Sequence, residues 1–479
     1  MSGNILPIQD HLSETTAVHP SSFRDPSGYV FWKNGCLYRK IAKSGEKNWD
    51  DLVNSNFLSV LIDKELLIPH ETIERYLIKP KVVPLVSYPQ EWSFSQYKDA
   101  ALLTLEVAQT ALQHDFILKD ASAYNVQFIG HSPIFIDTLS FERLDPTRPW
   151  VAYKQFCQHF LAPLMLMAKV DVALSKLMSV YIDGIPLDLA SKILPFSSRF
   201  SLSAYLHIHL HARSQQKYAD IAAKTTEASK VVAAKFDKKK LEVLLDGLKS
   251  AVSALKWKPA GTEWGDYYSA TNYSNEAMSE KGKLVGEFVR KSSAKVVWDL
   301  GANTGVFSHI AAQHAKEVVS FDIDPAAVEN HYLYLKNSAS HKSLPVNTKI
   351  LPLVLDLTNP TSDYGWAGSE RQSVKSRANA DLVMALALIH HLAISNNIPL
   401  ERIAKYFRDL SSDLIIEFVP KSDSQVKKLL ATREDIFPDY TIEGFEKAFS
   451  RFFEIIERKP VTGSERVLYL LQGKRLNSN

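Results

Sequence analysis

Val296-Val297-Trp298-Asp299-Leu300-Gly301-Ala302-Asn303-Thr304-Gly305 decides the fold of this chain. An apolar run and an Asp lead into two glycines that flank a tight turn, and an amphipathic segment, Val306 to His314, follows. The pattern predicts a buried strand, a turn and a helix N-terminus, a place suited to a nucleotide-like ligand. Gly301 supplies backbone angles closed to other residues, and Gly305 is expected to let the chain approach a ligand closely at the helix start. The spacing is Gly-x-x-x-Gly, not the Gly-x-Gly-x-x-Gly that wraps a pyrophosphate. Asp299, just ahead of the first glycine, would repel a diphosphate and suits an ammonium.

Outward from this turn, a second strand, Val318-Val319-Ser320-Phe321, ends at Asp322, with Asp324 two places on. A carboxylate at that strand end can accept both ribose hydroxyls of an adenosine. On this ordered set the stretch resembles the class I S-adenosylmethionine-dependent methyltransferases. Asp299, Gly301 and Gly305 match the family's first motif and Asp322 its second, with Asn303 and Asp324 in the same two turns. The resemblance covers about the last 220 residues, roughly one domain. It implies a Rossmann-like α/β domain with a seven-stranded sheet and S-adenosyl-L-methionine as cofactor. A third strand, Lys349 to Leu355, ends at Asp356, which with Leu357 would by the same resemblance meet the adenine. A fourth strand with its exit, Ala380 to Leu388, runs into Ile389-His390-His391-Leu392. That segment would cross the carboxyl edge of the sheet, where ligands bind in such folds. His390 and His391 are therefore the candidates for acceptor chemistry: a hydroxyl must lose its proton as it attacks a methyl group, and neutral imidazole is a suitable base. A helix, Leu400 to Leu410, a fifth strand, Leu414 to Val419, and an antiparallel pair, Phe453 to Arg458 and Arg466 to Leu471, complete the expected sheet. Glu417 on the fifth strand could face the acceptor.

At 479 residues the chain is long for one domain, so two are expected. Its hydrophobic content of 46% and charged content of 23% are ordinary for a soluble globular protein, and a net charge of +3 demands no nucleic acid. Cys36 and Cys157 are too few for a disulfide framework or a cysteine-rich zinc site, which points to a reducing, cytoplasmic setting. The run near Phe160 to Met167 is too short to span a bilayer, so no membrane span is expected.

In the N-terminal half, Tyr29-Val30-Phe31-Trp32, Asn34-Gly35 and Cys36-Leu37-Tyr38-Arg39 predict a β-hairpin. A helix is expected over Trp49 to Asp63, short strands near Pro80 to Tyr88, and a long helix over Ser93 to His114. Asp120-Ala121-Ser122-Ala123-Tyr124-Asn125 follows a short strand, and Pro133-Ile134-Phe135-Ile136 ends in Asp137. This order resembles the catalytic core of the protein-kinase-like phosphotransferases, with Asp120 as catalytic-loop Asp and Asn125 and Asp137 as metal-binding groups. The resemblance implies an α+β domain and Mg-ATP as its ligand. The sequence departs from the pattern: no Gly-rich loop precedes the strands, no His stands two places before Asp120, and Thr138-Leu139 replaces Phe-Gly. Lys40 is the candidate phosphate-pairing lysine. A working kinase and a pseudokinase both remain open.

His207 and His211, one helical turn apart, lack a third ligand nearby, and no metal is assigned. Residues 215 to 261 are small, charged and Ala-rich, with Leu241, Leu244, Leu245, Leu248, Val252 and Leu255 at helical spacing, and read as an interdomain helix with a basic shoulder at Lys238-Lys239-Lys240. Trp264, Tyr267, Tyr268 and Tyr273 suggest an aromatic lid over a sulfonium. The expected organisation is a kinase-like domain at 1–214, a linker at 215–261 and a methyltransferase domain at 262–479. The pairing resembles bacterial nodulation-type methyltransferases and kinase-methyltransferase fusions that decorate glycans. The expected reaction is O-methylation of a small molecule or glycan hydroxyl. The other readings are a bifunctional kinase and methyltransferase, and a pseudokinase recruiting a protein or RNA substrate.

Overall fold

The computed structural model describes residues 17–210, 237–259, 275–340, 349–431 and 433–474. The chain before residue 17, His211, the Ala- and Lys-rich stretch up to residue 236 and the aromatic quartet of Trp264, Tyr267, Tyr268 and Tyr273 lie outside them. Among the described residues no helix is long and apolar enough to cross a membrane.

The N-terminal unit opens with five antiparallel strands: β1 (Ala17–Val18), β2 (Gly28–Lys33), β3 (Cys36–Ile41), β4 (His70–Glu74) and β5 (Leu77–Pro80), in the spatial order β1-β2-β3-β5-β4. The β2–β3 hairpin forms where Asn-Gly predicts it, because Asn34 and Gly35 both take positive φ, 50° and 74°, and Lys33 pairs with Cys36. The single helix expected over Trp49 to Asp63 is two, Glu46–Asn54 and Phe57–Asp63, broken where Asn56 turns left-handed at φ 57°. The strands expected near Pro80 to Tyr88 lie earlier, as β4 and β5.

The helix Phe94–Gln113 starts at a capping box in which the side chains of Ser93 and Gln96 bond each other's backbone. It buries Tyr97, Ala101, Leu105 and Ala108. Two short antiparallel pairs follow, the hairpin β7 (Val126–Ile129) with β8 (Ser132–Phe135) and, flanking it in the chain, β6 (Phe116–Leu118) with β9 (Phe141–Arg143). The helix Lys238–Ala254, expected to bridge two domains, instead packs on Phe94–Gln113 and buries Leu241, Leu245, Leu248 and Val252. Lys98 secures its end by donating to the carbonyls of Ser253 at 2.7 Å and Leu255 at 2.8 Å. Lys238 of the basic shoulder pairs with Asp115 at 2.7 Å.

The C-terminal unit is one seven-stranded sheet. Its strands are β10 (Val296–Leu300), β11 (Glu317–Asp322), β12 (Lys349–Val354), β13 (Ala380–Ala385), β14 (Ser411–Phe418), β15 (Phe453–Pro460) and β16 (Val467–Gly473). The order is β12-β11-β10-β13-β14-β16-β15, with β10 to β14 parallel and β16 antiparallel to both its neighbours. This is the α/β sheet that the resemblance implies. β10, β13 and β14 read as near-continuous apolar runs because helices cover both faces. The chain runs outward from β10 through β11 and β12, then returns to β13 on the other side. A crevice opens between those neighbours at their carboxyl ends.

The two units meet along a broad polar seam. Gln96 donates to the Pro352 carbonyl at 2.9 Å, Ser95 Oγ to Glu329 at 2.5 Å, and Tyr332 Oη to Asp99 at 2.7 Å. At its centre Arg377 grips Glu91 through two nitrogens, at 2.5 and 3.0 Å, and lies over the Tyr88 ring, with both side chains at most 5% exposed. Removing one partner of such a pair leaves an uncompensated buried charge. Arg377→Met is therefore expected to lower the unfolding free energy by about 3–5 kcal/mol in denaturant titrations. A loss under about 1 kcal/mol would mean that the pair behaves as a surface ion pair.

Candidate functional site

The turn after β10 is held by the strand beside it. Gly301 N and Ala302 N both donate to the Phe321 carbonyl, at 2.8 and 2.9 Å, and Gly301 takes φ 74°. Asn303, at φ 50°, then aims its backbone N–H at Asp322 Oδ2, 2.7 Å away. Asp324 N donates to the other oxygen, Oδ1, at 2.9 Å. Asp322 thus sits at the end of β11 with backbone donors on both carboxylate oxygens, Ile323 adding to those of Asn303 and Asp324, and accepting capacity remains for a ligand. Asp299, one strand over, accepts from Ser308 Oγ at 2.6 Å.

These groups face one cavity of about 300 Å³ at the carboxyl ends of the strands. Of the residues singled out from the sequence, the structure brings Asp299, Gly301, Asn303, Asp322, Asp356, Leu357 and His391 together on its wall. Asp356 closes a turn of its own, accepting from Thr358 N at 2.8 Å and Thr358 Oγ1 at 2.6 Å. Three expected residues stand elsewhere. Asp324 caps the helix Pro325–Ser340, accepting from Ala326 N at 2.8 Å, and is not on the cavity wall. Gly305 also stands off the wall: the space its Cβ would need is filled by the His331 ring, and its φ is 83°. His331, not a ligand, is what approaches this glycine. His390 is buried behind His391, ring centroids 4.1 Å apart, and does not line the cavity.

The back of the cavity carries charges that the motif reading missed. Lys281, on the helix Asn275–Ser292, lines the wall at 2% side-chain exposure and donates to Glu417 Oε2 at 2.7 Å. Glu417 also accepts from Ala387 N at 2.7 Å, so it braces the wall instead of facing an acceptor. Arg466 stands 3.9 Å from Glu417 and pairs with Asp423 at 2.7 Å. The sequence signal for Lys281 is its place between Ala277 and Val285, four residues each way, on the face that Val285, Phe288 and Val289 bury. A lysine on an apolar stripe has to have a partner inside.

Burial pushes the Asp299 carboxyl up to about 7 and that of Asp322 to about 6, and the Asp322 charge adds to the rise at Asp299. The histidines move the other way. Burial holds His391 down at about 4, with Arg466 adding to it, and burial, His391, Arg466 and Lys281 hold His390 well below its ordinary value. Both imidazoles are neutral at pH 7.

The N-terminal candidates also come together. Asp120, Asn125 and Asp137 line a second cavity, with Lys119, Ser122, Tyr124 and Arg39. Asp120 accepts from Ser122 N at 2.9 Å and Gln155 Nε2 at 2.8 Å. Arg39, and not Lys40, reaches this cavity, because neighbours on a strand point to opposite faces and Arg39 shares its face with Val30 and Ile78. Its guanidinium donates to Asp137, as does Ser140 Oγ. Elsewhere, His207 meets the Tyr153 hydroxyl at 2.7 Å, and His209 meets Ser191 and Ser198 at 2.7 and 2.8 Å.

No model of a described protein family matches the chain. Among curated proteins it is similar to nodulation protein NoeA of Rhizobium meliloti (strain 1021), at 35% identity over 463 residues that cover 94% of this chain and 95% of that protein. Among solved structures, the N-methyltransferase NodS from Bradyrhizobium japonicum WM9, in complex with S-adenosyl-l-homocysteine, is 12% identical over 44% of this chain and all of that one, with a TM-score of 0.32. WbdD is 14% identical over 47% of this chain and 46% of that one, with a TM-score of 0.30. At such scores the reading of the site rests on its own residues.

A carboxyl whose pKa is raised by folding contributes stability below its unfolded pKa and loses it as pH rises through the folded value. Asp299 should therefore make the ligand-free protein progressively less stable from the ordinary carboxylate range up to about pH 7. Melting curves across that window should fall less steeply for Asp299→Asn than for the unchanged protein; parallel curves would show that Asp299 stays ionised throughout.

Proposed function

The chain belongs to the family of nodulation protein NoeA. We propose that its C-terminal unit is an S-adenosylmethionine-dependent methyltransferase acting on a hydroxyl of a small molecule or glycan. The observation that carries this reading is the convergence of Asp299, Asp322 and Asp356, from the ends of three adjacent strands, on one cavity whose carboxylates still have accepting capacity. Asp322 would accept from the ribose hydroxyls, Asp299 would meet the ammonium of the methionine moiety, and Asp356 with Leu357 would border the adenine. The cofactor's sulfonium supplies an electrophilic methyl group. The protein's part is to align the acceptor oxygen behind it and exclude water, since in-line displacement gains most of its rate from positioning.

His391 would accept a hydrogen bond from the acceptor hydroxyl. A base held at about pKa 4 gains little driving force for taking a proton at neutral pH. We therefore assign His391 to orienting the hydroxyl and His390 to packing behind it. For the N-terminal unit we read a kinase-like order of elements without phosphotransfer: Arg39 already neutralises Asp137, the charge a magnesium ion would require.

Asp322→Ala is expected to abolish S-adenosylmethionine binding in calorimetry while the melting curve stays cooperative; unchanged affinity would sink the assignment. Affinity for the cofactor should rise as pH climbs through about 6 to 7, because ionised Asp322 and Asp299 are the binding forms. Transfer of labelled methyl into fractionated extract identifies the acceptor class, and label in protein or RNA alone would reject the small hydroxyl. With that acceptor, His391→Gln should cost about tenfold in kcat and leave the acidic limb of the pH profile in place, whereas a general base would cost about 10²–10⁴-fold.

A further inference from the structure

The second cavity, about 620 Å³, is a binding site in its own right and is built from both units. The sheet strands β2, β3 and β5 form one wall, with Trp32 38% exposed on it. Asp120, Asn125 and Asp137 form the opposite wall. The seam closes it: Glu370 and Arg371 come from the loop between β12 and β13 of the C-terminal unit. Arg24 donates to both oxygens of Glu370, at 2.6 and 2.8 Å, and Arg371 lies 4.1 Å over the Tyr124 ring. Arg371 keeps part of its side chain exposed on the cavity wall, beside the Glu370 carboxylate at 3.8 Å.

The charges on these walls cancel. The lining cations are Arg24, Arg39, Lys81, Lys119 and Arg371, and the lining anions are Asp25, Asp120, Asp137, Asp183 and Glu370. Arg39 with Asp137 and Arg24 with Glu370 are already paired. A nucleoside triphosphate needs a cationic surplus or metal ions on its phosphates. A wall of fixed, mutually neutralised donors and acceptors instead suits a ligand that carries many hydroxyls and no charge, because each hydroxyl both donates and accepts. Trp32 adds an exposed apolar face for the ring carbons of such a ligand. We propose that this cavity binds a neutral oligosaccharide across the seam between the two units, independently of the cofactor site.

The test is calorimetric titration of the full chain with maltotriose, cellotriose and mannotriose, alongside Mg-ATP, up to millimolar concentration. Saturable binding of at least one trisaccharide, unaffected by magnesium, is expected. Asp120→Asn and Arg371→Met should each weaken it by about tenfold, the loss of one charge-assisted hydrogen bond, with melting curves confirming that both variants fold. Asp299→Asn, which alters the cofactor cavity without cutting the strand-end tie at Asp322, should leave it unchanged, so failure of the methyltransferase reading and failure of this one are separable. Saturable binding of Mg-ATP with no trisaccharide bound overturns the proposal. So does silence from all three sugars, or trisaccharide binding that neither substitution weakens.

Discussion

The carboxylate of Asp322 is the tie on which the C-terminal unit depends. Its two oxygens take the backbone N–H groups of Asn303 and Asp324, and its own carbonyl accepts from Leu355 N at 2.8 Å. One residue therefore joins the ends of β10, β11 and β12. Each of those N–H groups would otherwise be buried without a partner, at roughly 1–3 kcal/mol apiece. The tie has its own cost, because a carboxylate at 7% exposure is reluctant to ionise. A ligand that brings hydroxyls to its remaining lone pairs offsets that cost, so the group that organises the strand ends is also the one primed to bind.

Much of this was legible in the sequence, for one physical reason. A parallel sheet buried on both faces writes its strands as apolar runs, and the turns between them must carry Gly or Asp where the backbone is strained or the ligand sits. That is why β10 to β14, the antiparallel closing pair and the helix Leu400–Leu410 fall where the pattern puts them. What was not legible depends on direction more than on residue type. Asp322 and Asp324 look alike in the sequence, yet one faces the cavity and the other caps a helix. Lys40 and Arg39 are neighbours, and the parity of one strand decides which of them reaches Asp137. Gly305 is required by His331, twenty-six residues on, a contact that no local window contains.

The seam explains why the two units should be read together. Glu91 and Arg377 bury a charge pair between them, and the loop that carries Arg377 also supplies Glu370 and Arg371 to the N-terminal cavity. The same loop begins at Asp356 and Thr358, on the wall of the other cavity. A single connection between β12 and β13 thus borders both sites. It is anchored at intervals: Thr361 donates to Glu91 at 2.8 Å, Tyr364 meets Tyr124 at 3.2 Å, and Arg377 closes it. The N-terminal cavity loses Glu370 and Arg371 from its wall if the C-terminal unit is removed, and the loop that borders the other cavity loses its anchors on Glu91 and Tyr124 if the N-terminal unit is removed.

The two cavities differ most in their electrostatics. The N-terminal one is balanced, charge against charge. The C-terminal one leaves Asp299, Asp322 and Asp356 facing open space, while the nearby cations, Lys281 and Arg466, are held by Glu417 and Asp423. A ligand bearing a sulfonium and an ammonium would bring the missing positive charge. The histidines fit this arrangement only if they are neutral, since a protonated imidazole beside a sulfonium would repel the group it is meant to serve. Burial first, and then the positive field of Arg466, with Lys281 also acting on His390, keep them so. The ionic cluster behind the wall thus has a consequence beyond bracing the helix Asn275–Ser292 against β14: together with burial it keeps positive charge off the histidines, as a cationic ligand in this cavity would require.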